Sequence, residues 1–356
     1  MLDLDARISA FEILGKFIAQ KEKPAKDENL AKLNKFFFEE FKTVKQQTPT
    51  FNPWFTPDNI EHALEQWSLA LQPQSIKQWV NRYPKDHFEN NGSKTITIIM
   101  AGNIPLVGFH DFLTTLLSGH KVLAKPSTDD DRLLPFIAQL LIAINKEFVN
   151  RIELAVGKVQ NFDAVIATGS NNSARYFEHY FSKYPNVIRK NRSSVAVLNG
   201  NETEEQLTAL GSDIFQYFGL GCRNVSKLYL PKGFDTDLIF KALYPFNQII
   251  NHNKYANNFD YNRALFLLEQ IDFLENGFMI LRENESLHPP AAVLHFEYYE
   301  NIESITETLH NQKDELQCVV SSISEIEGAL AFGESQKPQL WDYADNVDTV
   351  KFLRCV

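Results

Sequence analysis

The sequence predicts an α/β protein with two doubly wound parallel-sheet domains behind an N-terminal helical segment. Three observations carry that expectation. The chain has 356 residues, enough for two domains. Residues 1–92 repeat apolar side chains at helical spacing. From Lys94 onward, short β-rich runs alternate with helical stretches, the pattern of parallel strands joined by crossovers.

The elements follow in order. Leu4, Ile8, Phe11, Leu14 and Ile18 mark an amphipathic first helix rather than a signal peptide, since no basic region and cleavage site accompany them. Thr56 caps a later helix with Pro57 at its first position, and Pro73 and Pro84 break the segments after it. TITIIM is a strand, AGNIP a turn, LVGFHDFLTTLLSG an apolar helix and KVLA a second buried strand. DRLLPFIAQLLIAINKEF reads as a helix broken or kinked at Pro135. DAVIAT, GSNNS and ARYFEHYFSKY give strand, turn and helix. RSSVAVLN is a further strand, and Thr203 with Gln206 forms a capping box on the helix that follows it. A second α/β series runs through KLYL, TDLIFKALYPF, FMILR, AAVLHF, ESITETLH, QCVVSSI and SEIEGALAF, which puts a domain boundary near Asn199.

Composition excludes several classes of function. Hydrophobic residues make up 44% and charged residues 22%, the balance of a soluble globular chain. The net charge is −10 with no basic stripe, which argues against a nucleic-acid partner. No apolar run reaches the roughly 18 residues a membrane span needs. Three scattered cysteines make no disulfide framework and suit a reducing cytoplasm. The 28 phenylalanines fit core filling or a greasy acyl channel, and composition does not choose.

The sequence carries no G-x-G-x-x-G, Walker A, G-x-S-x-G or zinc spacing. His110, His288 and His295 are isolated and read as packed or surface residues. Cys318 reads as core and Cys355 as incidental. Cys222, in FGLGCRN, is different. Gly219 and Gly221 permit tight turning, and Arg223 places positive charge beside the sulfur. Local residues alone leave a structural thiol and a nucleophile equally open.

The order of motifs goes further. AGNIPLVGFHDFLTTLLSGHKVLAKPS, VIATGS, FGLGC and ESLHPPAAVLHF follow one another as the cofactor, nucleophile and later Glu-x-x-x-Pro segments do in the aldehyde dehydrogenase superfamily, which the chain resembles. GCRNVSKLYLP, RSSVAVLNG and LWDYADNVDTVKFL resemble the acyl-CoA reductase branch, similar to the fatty-acid reductase of bacterial bioluminescence. The resemblance implies an aldehyde dehydrogenase-like fold. Residues 1–198 would form the cofactor-binding domain with its helical segment 1–92, and 199–335 the catalytic domain. Residues 336–356 would return to the domain interface or an oligomer contact.

The resemblance also implies roles. Cys222 would attack an acyl-CoA thioester and release coenzyme A, with the Asn103 side-chain amide and the Cys222 N–H donating to the developing oxyanion. NAD(P)H would reduce the acyl-enzyme to an aldehyde. Lys125 and Ser127 would meet the adenosine ribose, Gly169 and Ser170 the pyrophosphate, and Glu285 the nicotinamide ribose. Two departures matter. RKNR, 189–192, stands where hydrolytic relatives carry a water-activating glutamate; it reads as a solvated strand end, with coenzyme A phosphates the alternative. Thr128 replaces the glutamate that repels a 2′-phosphate, implying NADPH over NADH, against the counterweight of Asp129, Asp130 and Asp131. The rival readings are a hydrolytic or CoA-acylating aldehyde dehydrogenase and a non-catalytic acyl-binding subunit. A homo-oligomer and an acyl-donating partner protein complete the implied associations, and no metal is implied.

Overall fold

The computed structural model describes residues 2–21, 23–89 and 93–356, so the last three positions of the expected 1–92 segment, together with Met1 and Glu22, lie outside the described residues. The chain divides into two compact units, 1–190 with 339–356, and 191–338.

The first unit carries strands β1 (Thr95–Ile99), β2 (Lys121–Lys125), β3 (Ile152–Leu154), β4 (Ala164–Thr168) and β5 (Asn186–Arg189). Their order is β3-β2-β1-β4-β5, and every pairing is parallel. The strand order reverses beside β1, where the chain steps from β2 and β3 on one side to β4 and β5 on the other. In open sheets that reversal creates a crevice beyond the carboxyl ends of the strands. Helices Leu4–Ile18, Glu28–Phe51, Pro57–Ala70 and Pro73–Val80 precede the sheet. Thr56 accepts from the Asn59 N–H and Pro57 takes the first helical position, as the sequence indicates. Pro135, in contrast, breaks nothing. The helix Leu133–Ile144 starts two residues before it, and first-turn N–H groups have no partner within a helix to lose.

Phenylalanine builds much of this unit's core. Phe11, Phe17, Phe41, Phe109, Phe112 and Phe148 are all buried, and Phe41 stacks on Phe136 with centroids 5.3 Å apart. Each such side chain contributes about 1.5–3 kcal/mol by leaving water. Arg7 ties the first helix to the end of helix Phe109–Leu117 and to the segment ahead of β1: its guanidinium donates to the carbonyls of Leu117 (2.6 Å) and Phe88 (2.8 Å). Burial lowers its pKa to about 10. The final segment belongs to this unit as well. Trp79 donates to the Tyr343 hydroxyl at 2.7 Å, and His110 Nε2 meets the Leu340 carbonyl at 2.9 Å.

The second unit holds β6 (Ser193–Val197), β7 (Val225–Pro231), β8 (Leu274–Glu275), β9 (Ile280–Glu283), β10 (Val293–Tyr299) and β11 (Leu316–Ser321). The order is β11-β6-β7-β10-β9-β8, parallel except for the edge pair β8–β9. The units divide ahead of Asn199 because β6 is hydrogen-bonded to β7 and β11 of this second sheet. The Thr203–Gln206 capping box opens helix Glu204–Phe215. Helix Asn253–Leu268, rich in asparagine and without a clear apolar stripe, has no counterpart in the sequence reading. No helix among the described residues is long and apolar enough to cross a membrane.

Candidate active site

In the first unit, six of the named positions gather at the carboxyl ends of three adjacent strands. Asn103 follows β1, Lys125 ends β2 with Ser127 and Thr128 after it, and Gly169 and Ser170 follow β4. Asn103 and Thr128 are exposed; Lys125, Ser127 and Gly169 are half-buried. Two glycines are required by close approach. A Cβ on Gly102 would sit 2.7 Å from Ser127 Oγ and 2.8 Å from Asp129 Cβ. One on Gly169 would sit 2.8 Å from Ser173 Cβ. The second contact lets the chain turn directly from β4 into helix Asn171–Phe181, which Ser170 caps by accepting from the Ser173 N–H. Free N–H groups at such a helix start favour an anion.

Asn52, which lies outside the motif reading, and Asp130 lock these loops together. Asn52 donates to the Asp129 carbonyl at 3.2 Å and reaches the Gly102 carbonyl at 3.5 Å. Asp130 turns inward, and its Oδ2 accepts from the Leu106 N–H at 2.8 Å. Leu106 has φ 58°, a left-handed conformation costly for leucine, so this bond helps to hold the turn that follows Asn103.

Burial pushes the Asp130 carboxyl up to about 7, against the lowering effect of the Leu106 N–H, with the Asp131 charge raising it further. A folded-state pKa above the unfolded one means that the fold favours the protonated form. The contribution is whole below about pH 4 and is lost as pH rises toward 7. At about 1.4 kcal/mol per unit the change amounts to roughly 4 kcal/mol. Asp130→Asn keeps an oxygen for Leu106 and cannot ionise. We expect it to raise stability by a few kcal/mol at about pH 8 and little at about pH 4, as read from denaturant titrations at the two pH values. An equal effect at both would contradict the assignment.

In the second unit, Cys222 and Arg223 are the central residues of a β-turn closed by the Asn224 N–H donating to the Gly221 carbonyl at 3.0 Å. Asn224 is buried and staples this turn to the preceding helix. Its Oδ1 accepts from the Gly221 N–H at 2.8 Å, while its Nδ2 donates to the carbonyls of Asp213 (3.0 Å) and Gln216 (2.8 Å). Ser194 Oγ donates to the Cys222 carbonyl at 2.9 Å and lies 3.0 Å from Cys318 Sγ. The register of β6 on β7 shifts beside Ser194, and bulges of this kind commonly re-aim side chains next to active sites. Cys222 itself is half-buried. Arg223 Nε donates to the Ser335 carbonyl at 2.6 Å, so its side chain also anchors a distant loop. Asp213, whose pKa burial raises, fixes the same loop through the N–H groups of Gly333 and Ser335.

Glu285 is exposed on the loop after β9. Three consecutive carbonyls of this loop receive side-chain donors. Lys227 Nζ donates to Glu285 O (2.7 Å), His295 Nδ1 to Ser286 O (2.7 Å) and Ser226 Oγ to Leu287 O (2.8 Å). Lys227 is fully buried and also pairs with Glu297. His288, on the same loop, meets Ser193 Oγ through Nδ1 at 2.8 Å. The sequence singled out none of Asn224, Ser194, Lys227 or Asp130 for these tasks, because each depends on partners distant in the chain.

The 189–192 segment differs from its expected solvated strand end. Arg189 is buried, forks onto both oxygens of buried Asp111 and reaches Thr349 Oγ1 at 3.3 Å. Lys190 pairs with Glu178 at the surface, and Arg192 donates to the Leu316 carbonyl at 3.0 Å.

Comparison with known proteins agrees with this architecture. The family model described as acyl-CoA reductase (LuxC) matches residues 6–238. No curated protein matches the sequence significantly. Among solved structures, an aldehyde dehydrogenase of Mycobacterium tuberculosis complexed with NAD+ aligns with a TM-score of 0.59 and 13% identity, over 90% of this chain and 78% of that one. Aldehyde dehydrogenase 21 of Physcomitrella patens, in complex with succinate, gives 0.63 and 11% identity, over 99% and 88%. A Bacillus cereus aldehyde dehydrogenase with NAD+ gives 0.56 and 14% identity, over 90% and 77%. At these identities the likeness establishes the fold, that of the aldehyde dehydrogenases.

Proposed function

Since the chain belongs to the acyl-CoA reductase (LuxC) family, we propose that it reduces an acyl-CoA thioester to the aldehyde through an acyl group carried on Cys222. The observation that carries this reading is the construction of the 221–224 turn. Asn224 and Ser194 hold its backbone, so the half-buried thiol stands on a rigid support. Cys222 attacks the thioester carbonyl, a carbon–sulfur bond to the protein forms, and coenzyme A leaves as the thiol once it takes up a proton. Asn103 and the Cys222 N–H serve as donors to the oxygen that gains charge. At RKNR no carboxylate stands ready to activate water, and Arg189 there is already committed to Asp111. An acyl-enzyme spared from hydrolysis persists until it is reduced.

The residues at the first unit's strand ends suit a dinucleotide. Gly102 and Gly169 let the strand-end loops pack closely against Ser127, Asp129 and Ser173, and the start of helix Asn171–Phe181 offers N–H groups to a pyrophosphate. Lys125 and Ser127 are assigned to the adenosine ribose, Gly169 and Ser170 to the pyrophosphate, and Glu285 to the nicotinamide ribose. Bound there, the reduced nicotinamide supplies the hydride. Thr128 favours NADPH, and the acidic counterweight is weaker than its sequence suggests: Asp130 points inward to Leu106, and Asp131 pairs with Arg132 at 3.3 Å. Thr128→Glu is expected to shift the NADPH-to-NADH ratio of kcat/KM toward NADH by at least about tenfold, or ~1.4 kcal/mol. An unchanged ratio would contradict the role of Thr128.

The reaction itself is tested by its products. Acyl-CoA and NADPH should give equal amounts of coenzyme A and a trappable aldehyde. Free acid as the main product, with no nicotinamide consumed, would overturn the proposal.

A further inference from the structure

Tyr255, on helix Asn253–Leu268, is 2% exposed, yet its hydroxyl makes no hydrogen bond among the described residues. Burial raises its pKa, so the group stays neutral, with a proton to donate and an oxygen to accept. Most buried side-chain hydroxyls have a partner, and an exception points to a water, an ion or a ligand.

Tyr255 lines a cavity of about 210 Å³ in the second unit. The lining is mixed. Phe215, Leu220, Val225 and Met279 give it apolar surface, while Ser226 and the 289–292 loop bring polar atoms. Among the described lining residues, only Tyr255 has an uncommitted side-chain proton, because Ser226 Oγ donates to the Leu287 carbonyl at 2.8 Å. The carbonyls of Pro290, Ala291 and Ala292 each accept one bond, from Val293 N, Asn262 Nδ2 and Ile280 N, and each keeps a second lone pair.

This chemistry selects the occupant. Apart from Tyr255 no ionisable side chain lines the cavity, so an ion would be buried without a counter-charge. Water fits poorly. The volume corresponds to about seven molecules, each needing two to four polar partners, which the apolar walls do not give. A hydrocarbon chain would leave the Tyr255 hydroxyl as unmet as before. A ring bearing one hydroxyl or carbonyl satisfies both the apolar walls and Tyr255. A cavity of about 150 Å³ accepts benzene, so this one accommodates a ring with a substituent.

The walls connect the cavity to both chemical segments of this unit. Phe218, Gly219 and Leu220 lead directly into Gly221 and Cys222, and residues 289–294 continue the loop that bears Glu285. Tyr217 and Phe218 have φ of 54° and 60°, left-handed values that persist only where neighbours fix them. Asn224 is one such neighbour, through the Gln216 carbonyl and the Gly221 N–H. An occupant packed against Phe218 and Leu220 is a second.

We propose that this cavity binds a neutral, ring-sized molecule through the Tyr255 hydroxyl, at a site that does not include Cys222, and that the occupant steadies the 217–224 segment carrying the thiol.

The test titrates the full chain with para-fluorophenol and with fluorobenzene, rings that differ by one hydroxyl, and reads binding from fluorine NMR. Wild type should bind the phenol about tenfold more tightly. Tyr255→Phe should cut that preference to about twofold or less without lowering Tm, since the hydroxyl it removes has no partner. Val293→Phe, which fills the cavity, should weaken both rings about tenfold or more. With the phenol at about ten times its Kd, hydrogen exchange of the 217–224 amides should slow about tenfold in wild type and stay unchanged in Val293→Phe. No binding of either ring, equal binding of both, a phenol preference that survives Tyr255→Phe, a lowered Tm in that variant, or exchange unmoved by bound phenol would each overturn the proposal. None of these readouts involves acyl transfer, so the result is independent of the acyl-enzyme reading of Cys222.

Discussion

Cys222→Ala should abolish reduction of acyl-CoA, by roughly 10³-fold or more, while leaving binding of the nicotinamide cofactor unchanged. The size follows from the role. A nucleophile that forms the bond to the acyl group has no substitute in a methyl side chain. Retained cofactor binding follows because the residues assigned to the dinucleotide, apart from Glu285, stand at the strand ends of the first unit, whereas Cys222 belongs to the second. The appropriate control is Cys318→Ala. Cys318 Sγ lies 3.0 Å from Ser194 Oγ, and that hydroxyl donates to the Cys222 carbonyl, so a second thiol stands near the turn. Cys318→Ala should retain acylation. Loss in Cys318→Ala with activity kept in Cys222→Ala would move the chemistry to the wrong sulfur for this account.

The largest effect on stability is expected at Arg189. Its guanidinium and the Asp111 carboxylate are 6% and 2% exposed, so neither charge has recourse to water. Arg189→Ala leaves Asp111 buried without its partner, which costs about 3–5 kcal/mol, against total stabilities of about 5–15 kcal/mol for typical domains. A fall in Tm of about 10 °C is the expected reading. The double variant Arg189→Met with Asp111→Leu should recover most of that loss, because an apolar pair of similar volume carries no desolvation cost. If the single variant melts like wild type, the pair is not closed to solvent as described. If the double variant is as unstable as the single, the loss comes from packing rather than from the unpaired charge.

The parts of the fold that were legible in the sequence are those set by neighbours in the chain. The Thr203–Gln206 capping box, the Thr56 cap and the alternation of strands and helices all depend on spacings of a few residues. The positions named from motif order in the first unit likewise fall at the ends of β1, β2 and β4, since a strand followed by a glycine-bearing turn is a local pattern. What escaped depends on distance. Pro135 looked like a break because its place within the helix turns on where the helix starts, two residues earlier. Arg189 looked solvated because Asp111, 78 residues away, is invisible to a reading by neighbourhood. Asn224 stood in plain sight beside Cys222, yet its task appears only when the helix end at Asp213 and Gln216 is brought against it. Lys227 and Asp130 follow the same rule: the sequence supplies a charged residue, and the fold supplies the carbonyl or N–H that gives it a purpose.

The central claim is that Cys222 carries the acyl group, and one measurement addresses it directly. The protein is mixed with acyl-CoA in the absence of any nicotinamide, and intact mass and peptide mapping follow the product. The expected result is a gain of one acyl group on Cys222, with coenzyme A released in equal amount, and discharge of that adduct as aldehyde when NADPH is added. No adduct, an adduct on another residue, or discharge only as free acid would contradict it.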